Sequence, residues 1–349
     1  MRQNKLRVIC FGMGAIGTYI GGSLAAKGAE VVFIEKKEMV SGASERGIRL
    51  MTEKSEIRIP IIEVFSDIKQ VIGSRPFDVA LLAVKSFDTK SVLDSITGIE
   101  DQFPPILCLQ NGVENEDLIA QKIGSDKVIS GTITSAVGRS GLGDVKLEKL
   151  RGVGIETGNP LSKMLIDWFN LAGLRAKGYT SRANMKWSKM TTNLLANASS
   201  AILNWTPRQI FSDPLMYRLE VTQIRETLAV MKALGLDVVD LPGTPVVLLM
   251  RLINSLPSDL SSKIVGIPLA RARGAKMPSF HIDLYAGKTI SEVTYLNGAV
   301  TRFGKSAGVA TPVNQVLSDT LEQLASGRLT KDMFNNQPEK LHQLIKGVL

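Results

Sequence analysis

The sequence predicts an α/β chain in two parts, a parallel-sheet domain over residues 1–181 and an all-helical domain over 182–349. Three observations predict it. Apolar runs of strand length alternate with helical patterns at residues 6–11, 30–35, 78–84, 105–109 and 127–134, which is the rhythm of a parallel sheet. From Arg182 onward nearly everything has helical periodicity, broken at Pro207, Pro242-Gly243 and Pro257. The length of 349 residues also exceeds the ~250–300 at which single cores stop growing.

The first strand, Leu6-Arg7-Val8-Ile9-Cys10-Phe11, opens onto Gly12-Met13-Gly14-Ala15-Ile16-Gly17 and continues as a helix to about Lys27. In such a GxGxxG turn each glycine has its own task. Gly12 permits the tight turn, Gly14 lets the backbone approach a pyrophosphate, and Gly17 lets helix pack on strand. The pyrophosphate then rests on the N–H groups and positive dipole end of the helix. A second strand, Glu30-Val31-Val32-Phe33-Ile34, follows at βαβ spacing, so the turn has the context of a Rossmann-like dinucleotide site. Asp78-Val79-Ala80-Leu81-Leu82-Ala83-Val84 is apolar after its first residue, as a strand covered on both faces should be, and ends at Lys85. Ile106-Leu107-Cys108-Leu109-Gln110 ends at Asn111-Gly112. Ligands of doubly wound sheets bind beyond the carboxyl ends of strands, which singles out Lys85 and Asn111. Residues 140–160, glycine-rich with alternating apolar positions, read as antiparallel strands closing the domain. Residues 255–280 read as an irregular connection or a short exposed helix.

Composition narrows the function. The balance of 42 basic against 33 acidic residues gives +9, but the cations are scattered along the chain. That pattern suits attraction of anionic small molecules better than nucleic acid. Cys10 and Cys108 lie in apolar runs without metal-ligand spacing, and the chain enters its first strand almost at once. No apolar run approaches the ~18 residues that span a bilayer. A cytoplasmic protein in a reducing compartment, without a membrane partner, is the expectation. The two histidines, His281 and His342, exclude a His-rich metal site, and no metal is expected. Acid–base chemistry then falls to Lys, a carboxylate, Ser, Tyr or Cys.

Residues 184–203 read as one helix with Trp187, Met190, Leu194, Ala198 and Ala201 on its apolar face. Beside that face Lys189, Asn193 and Asn197 recur at i, i+4 and i+8, extended by Ser200 and Asn204. Amides and hydroxyls are poorer helix formers than the charged residues of a solvated face. A line of them points to half-buried hydrogen bonding, either to a polar ligand beside one cation or to the neighbouring domain.

With these motifs in hand the sequence resembles the ketopantoate reductase (2-dehydropantoate 2-reductase) family over nearly its whole length. The resemblance rests on Gly12 to Gly17, Ala83-Val84-Lys85-Ser86, Leu109-Gln110-Asn111-Gly112-Val113, and Lys189-Met190-Thr191-Thr192-Asn193 with Asn197. It continues in Ser291-Glu292-Val293-Thr294-Tyr295-Leu296-Asn297-Gly298 and in Gly308-Val309-Ala310-Thr311-Pro312-Val313-Asn314. It implies NADPH-dependent reduction of a 2-oxo acid to its 2-hydroxy acid, in a cleft between a Rossmann domain and a helical one. The step with ketopantoate belongs to pantothenate biosynthesis. By the resemblance, Lys189 is the general acid. Glu292 is the acidic residue facing it across the cleft, counted with the cofactor contacts as well. Asn193, Asn197 and Ser279, the last four residues before Asp283, bind substrate. Lys85 and Asn111 contact cofactor and substrate, and Lys36 holds the 2′-phosphate of NADP.

The chemistry agrees. Hydride addition to a ketone puts negative charge on oxygen, and a protonated Lys189 can polarise that carbonyl and deliver the proton. Glu292 would favour the ammonium form, while neutral amides bond a hydroxyl without adding charge. Three features depart from the family pattern. Glu35 lies 18 residues after Gly17, near where an acidic residue grips the 2′-hydroxyl of NAD, so NADP and NAD both stay open. One extra residue separates Asp283 from Glu292. Ser135 stands where many members carry histidine, so the reaction type is better marked than ketopantoate itself. Two further readings remain: a dehydrogenase for another 2-oxo or 3-hydroxy acid, and a non-catalytic dinucleotide sensor. Nothing in the sequence marks an interface, and a homodimer stays open.

Overall fold

The structure, a computed structural model, describes residues 5–53, 55–73 and 75–347. Its contacts divide the chain into two units, Met1–Lys186 with Leu241–Thr244, and Trp187–Asp240 with Pro245–Leu349.

The first unit is built on twelve strands: β1 (Arg7–Phe11), β2 (Glu30–Ile34), β3 (Ile48–Met51), β4 (Glu56–Ile59), β5 (Glu63–Phe65), β6 (Val79–Leu82), β7 (Ile106–Cys108), β8 (Val128–Ile133), β9 (Ala136–Gly141), β10 (Asp144–Lys149), β11 (Val153–Glu156) and β12 (Ala176–Tyr179). Eight form one sheet in the order β12-β11-β8-β7-β6-β1-β2-β5. The six from β5 to β8 run parallel, and β11 with β12 runs opposite to them. Counting those six along the chain gives the order 3-2-1-4-5-6 of a doubly wound dinucleotide fold, with its reversal between β1 and β6. The central strands are buried throughout, apart from the half-buried Arg7 at the start of β1, as continuous apolar runs require.

Helices α1 (Ala15–Ala25), α2 (Lys37–Arg46), α3 (Thr89–Ser95), α4 (Asn115–Ile123) and α5 (Ser162–Leu171) complete the α/β layers. The other four strands make a small sheet, β4-β3-β10-β9, which the sequence did not foreshadow in its first half. It covers α1 from the side away from the main sheet. A Cβ on Gly21 would stand 2.8 Å from Phe33 of β2, and one on Gly22 would stand 2.9 Å from Ile48 of β3. Adjacent glycines therefore let one helix sit tightly between two sheets. In the glycine-rich stretch at 140–160, β10 does pair antiparallel, with β9, most of which precedes the stretch. Its last strand, β11, instead joins the main sheet and pairs antiparallel with β8.

The second unit is helical. Helix α6 (Arg182–Leu194) starts in the first unit and continues into the second. It is followed by α7 (Ala198–Leu203), α8 (Pro207–Ser212), α9 (Pro214–Ala233), α10 (Val246–Ser255), α11 (Ser258–Ser261), α12 (Ile267–Arg273), α13 (Ser279–Tyr285), α14 (Asn297–Ser306), α15 (Pro312–Ala325) and α16 (Pro338–Lys346). Of the two readings of residues 255–280, an irregular connection or a short exposed helix, the helical one holds in part: α11 and α12 are short helices joined by a π turn, Ser262–Gly266. Proline stands at the start of α8, α9, α15 and α16, where its missing N–H costs nothing. Among the described residues no helix is long and apolar enough to cross a membrane.

Candidate functional site

In the first unit the glycine turn lies at the strand-order reversal. Gly12 has φ +92°, and its N–H donates to Ile34 O at 2.9 Å, tying the turn to the end of β2. A Cβ there would also meet Val84 at 2.9 Å, just past the end of β6. Gly17 is excluded from bearing a side chain by distance alone, because its Cβ would stand 1.9 Å from Gly12 O. Gly14 differs: it has ordinary extended backbone, and a Cβ there would meet nothing within 4 Å. Gly14 is also the N-cap of α1, with no side-chain cap and no acidic residue in the first turn. This helix start carries partial positive charge and open space together, which fits the pyrophosphate of a dinucleotide. Met13 is buried beneath the turn, whereas Ala15 and Ile16 are half-buried. Thr18 Oγ1 donates to Met13 O at 3.0 Å and stiffens the loop from inside.

Glu35 follows β2 directly. Its Oε2 accepts from Met13 N at 2.6 Å and its Oε1 from Lys36 N at 3.0 Å. The Lys36 side chain is exposed at the start of α2.

Lys85 and Asn111, both half-buried, are held by a buried polar cluster that sequence reasoning missed. Gln110 Nε2 donates to Val84 O at 3.0 Å and to Lys85 O at 3.2 Å. Asn115 Nδ2 donates to Asn111 O at 2.8 Å, and Ser86 Oγ donates to the same carbonyl at 3.0 Å. The ends of β6 and β7 are thus stapled to each other. Buried amides satisfied on several sides hold backbone more rigidly than apolar packing does.

Beneath that staple lies a buried ion pair, also missed. Lys186 Nζ stands 2.8 Å from Glu116 of α4, and both side chains are about 5% exposed or less. The ammonium also donates to Gln110 O at 2.7 Å. Burial works against its charge, but the Glu116 carboxylate, through charge and hydrogen bond, together with Cys108 holds the lysine above its ordinary value. Lys186→Met would leave the Glu116 carboxylate buried without a counter-charge. A loss of about 3–5 kcal/mol in denaturant unfolding is expected, largely recovered in Lys186→Met/Glu116→Leu.

In the second unit Lys189 and Asn193 lie half-buried on successive turns of α6, whose apolar face buries Trp187, Met190 and Leu194. The single helix expected over 184–203 is broken. Helix α6 ends at Leu194, Ala196 takes φ 53°, and α7 restarts at Ala198. The cause is tertiary: Glu220 of α9, buried, accepts from Ala196 N at 2.7 Å and from Ser199 Oγ. Asn197 therefore leaves the i, i+4, i+8 line. Its Oδ1 accepts from Phe280 N at 3.1 Å, which brings it beside Ser279, the exposed first residue of α13. Glu292 is buried, in a short 3-10 turn (Glu292–Tyr295) capped by Ser291. Asn297 and Asn314 are internal: Asn297 Nδ2 donates to Gln223 Oε1 and Asn314 Oδ1, and Asn314 Nδ2 donates to Glu226.

Ser135 is buried in the first unit, where its hydroxyl accepts from Arg151 N and Gly152 N, both at 3.0 Å. His281 stacks on Tyr285 and meets Asn204 Oδ1 at 2.7 Å. Among the described residues no group of three or more His, Cys, Asp or Glu could hold a metal ion.

Comparison with known proteins adds the following. The profile of the family described as "Ketopantoate reductase PanE/ApbA" matches residues 8–159, and that of its C-terminal part matches residues 183–325. A 2-dehydropantoate 2-reductase of Streptococcus pyogenes serotype M3 is 23% identical over 314 residues, covering 88% of this chain and 94% of its own. The crystal structure of a PanE/ApbA family ketopantoate reductase from Ralstonia eutropha JMP134 superposes with a TM-score of 0.78 at 27% identity, covering 93% and 99% of the two chains. D-mandelate dehydrogenase, solved with NADH and anilino(oxo)acetate, has the same fold at a TM-score of 0.75 and 22% identity, covering 92% and 99%.

Proposed function

The chain belongs to the ketopantoate reductase family of oxidoreductases, and on that premise we propose that it reduces a 2-oxo acid to the 2-hydroxy acid with NAD(P)H. Ketopantoate, the substrate in pantothenate biosynthesis, is the first candidate. The observation that carries this reading is the uncapped start of α1 at the strand-order reversal, with open space at Gly14 and the stapled ends of β6 and β7 beside it. When bound, a reduced nicotinamide supplies the hydride that reaches the carbonyl carbon. The chain supplies the rest. Lys189 donates a proton to the carbonyl oxygen as charge develops there, and its neutral amine is reprotonated from water. Glu292 favours the ammonium form of Lys189. Asn193, Asn197 and Ser279 offer neutral hydrogen bonds to the acid, and Lys85 and Asn111 line the cofactor side. The free, buried thiols of Cys10 and Cys108 support a reducing, cytoplasmic setting.

The test follows NADH and NADPH consumption against a panel of 2-oxo acids that includes ketopantoate. Saturable consumption with at least one of them is expected. Consumption with none, under either dinucleotide, would refute the reductase and favour a binding or sensing role.

A further inference from the structure

We propose that Glu35 makes the dinucleotide site selective for NADH over NADPH, an inference that rests on the dinucleotide reading above. The choice between the two is made at one oxygen, the adenosine-ribose 2′ position, which is a hydroxyl in NADH and a phosphate in NADPH. Glu35 and Lys36 are neighbours at the end of β2, where a doubly wound fold reads that position.

Their circumstances in the structure differ. The Glu35 carboxylate is fixed. Gly12 N donates to Ile34 O at 2.9 Å, so the residue preceding Glu35 is already anchored to the glycine turn. Met13 N then donates to Glu35 Oε2 at 2.6 Å, and Lys36 N donates to Oε1 at 3.0 Å. The side chain is half-buried and bonded to the very loop whose helix start fits a pyrophosphate. A carboxylate has about four acceptor sites, and these two bonds fill two of them. Each oxygen keeps capacity for a hydroxyl donor, which a 2′-hydroxyl is and a 2′-phosphate dianion is not. Toward the phosphate the carboxylate acts as a like charge, and a fixed, partly desolvated charge repels more strongly than one free in water.

Lys36 offers the opposite attraction from a weaker position. Its side chain is exposed, where salt and water screen its charge. The helix it precedes, α2, already carries Glu38 in its first turn, so that N-terminus has an anionic partner of its own.

Equilibrium titration of the purified full-length protein with NADH and with NADPH, read by nicotinamide fluorescence without substrate, tests this. NADH is expected to bind at least ~10-fold tighter, about 1.4 kcal/mol. In Glu35→Gln and Glu35→Ser the ratio should shift toward NADPH by at least ~10-fold, because the negative charge that repels the phosphate is lost. Tighter binding of NADPH by the unmodified protein would overturn the assignment. So would an unchanged ratio in both folded variants. Binding of neither dinucleotide would refute the dinucleotide site itself and this assignment with it, an outcome distinct from a reversed preference.

Discussion

Replacing Lys189 with alanine is expected to cut turnover of a 2-oxo acid by ~10²–10⁴-fold while leaving dinucleotide affinity within about twofold. The size follows from what the side chain is asked to do. A proton donated as the alkoxide forms lowers the barrier by about 3–5 kcal/mol, and alanine leaves only water to donate it. The variant should fold normally. Helix α6 is held through Trp187, Met190 and Leu194, which are almost fully buried, whereas Lys189 is half-buried on its flank. Alanine is also the best helix former, so local stability should not fall. Lys189→Arg sharpens the test. An arginine keeps the positive charge but holds its proton too tightly to donate it. If charge alone mattered, arginine would restore most of the rate; if proton transfer matters, it restores little. Stopped-flow turnover with saturating substrate measures both. A rate within fivefold of the parent in Lys189→Ala would remove this residue from the chemistry.

The opening of the first unit, β1 through the glycine turn and α1 to β2, was legible because strand, glycine turn and helix each carry a local signature. The apolar run of β1, the positive φ at Gly12 and the close approach at Gly17 all depend on residues adjacent in the chain. The break in the helix after Leu194 had no such signature. No glycine or proline marks it, and the residue with positive φ is Ala196. What imposes it is the Glu220 carboxylate, a long-range partner invisible to periodicity. The same holds for Lys186 and Lys189, which look equivalent as cations on one helix. Only the fold separates them, because one meets Glu116 in the interior and the other lies on the helix flank. Strands β3 and β4 do alternate, as Ile48-Arg49-Leu50 and Glu56-Ile57-Arg58-Ile59, but at four residues each the pattern is too short to stand out.

The glycines of the turn separate binding from folding, and two substitutions should show it. Gly14→Val is expected to leave a folded protein that has lost its dinucleotide, with Kd raised at least ~10²-fold, about 2.7 kcal/mol. Its backbone, φ −70° and ψ −173°, is one that valine adopts readily. A Cβ there meets no protein atom within 4 Å, so the space it takes is space the pyrophosphate needs. Stability should fall only by the loss of a tolerable N-cap residue, about 1 kcal/mol. Gly17→Ala is the contrasting case. Its methyl group would stand 1.9 Å from Gly12 O, and the carbonyl belongs to backbone that Ile34 and Val84 confine. Helix α1 would have to move off β1, costing about 1–3 kcal/mol or more in stability as overpacking does. Thermal unfolding alongside fluorescence titration distinguishes the two. Gly14→Val should keep its transition and lose its ligand, while Gly17→Ala should lower both. Parent-like dinucleotide binding by folded Gly14→Val would mean that the phosphates do not lie on this turn, whatever the fold around it.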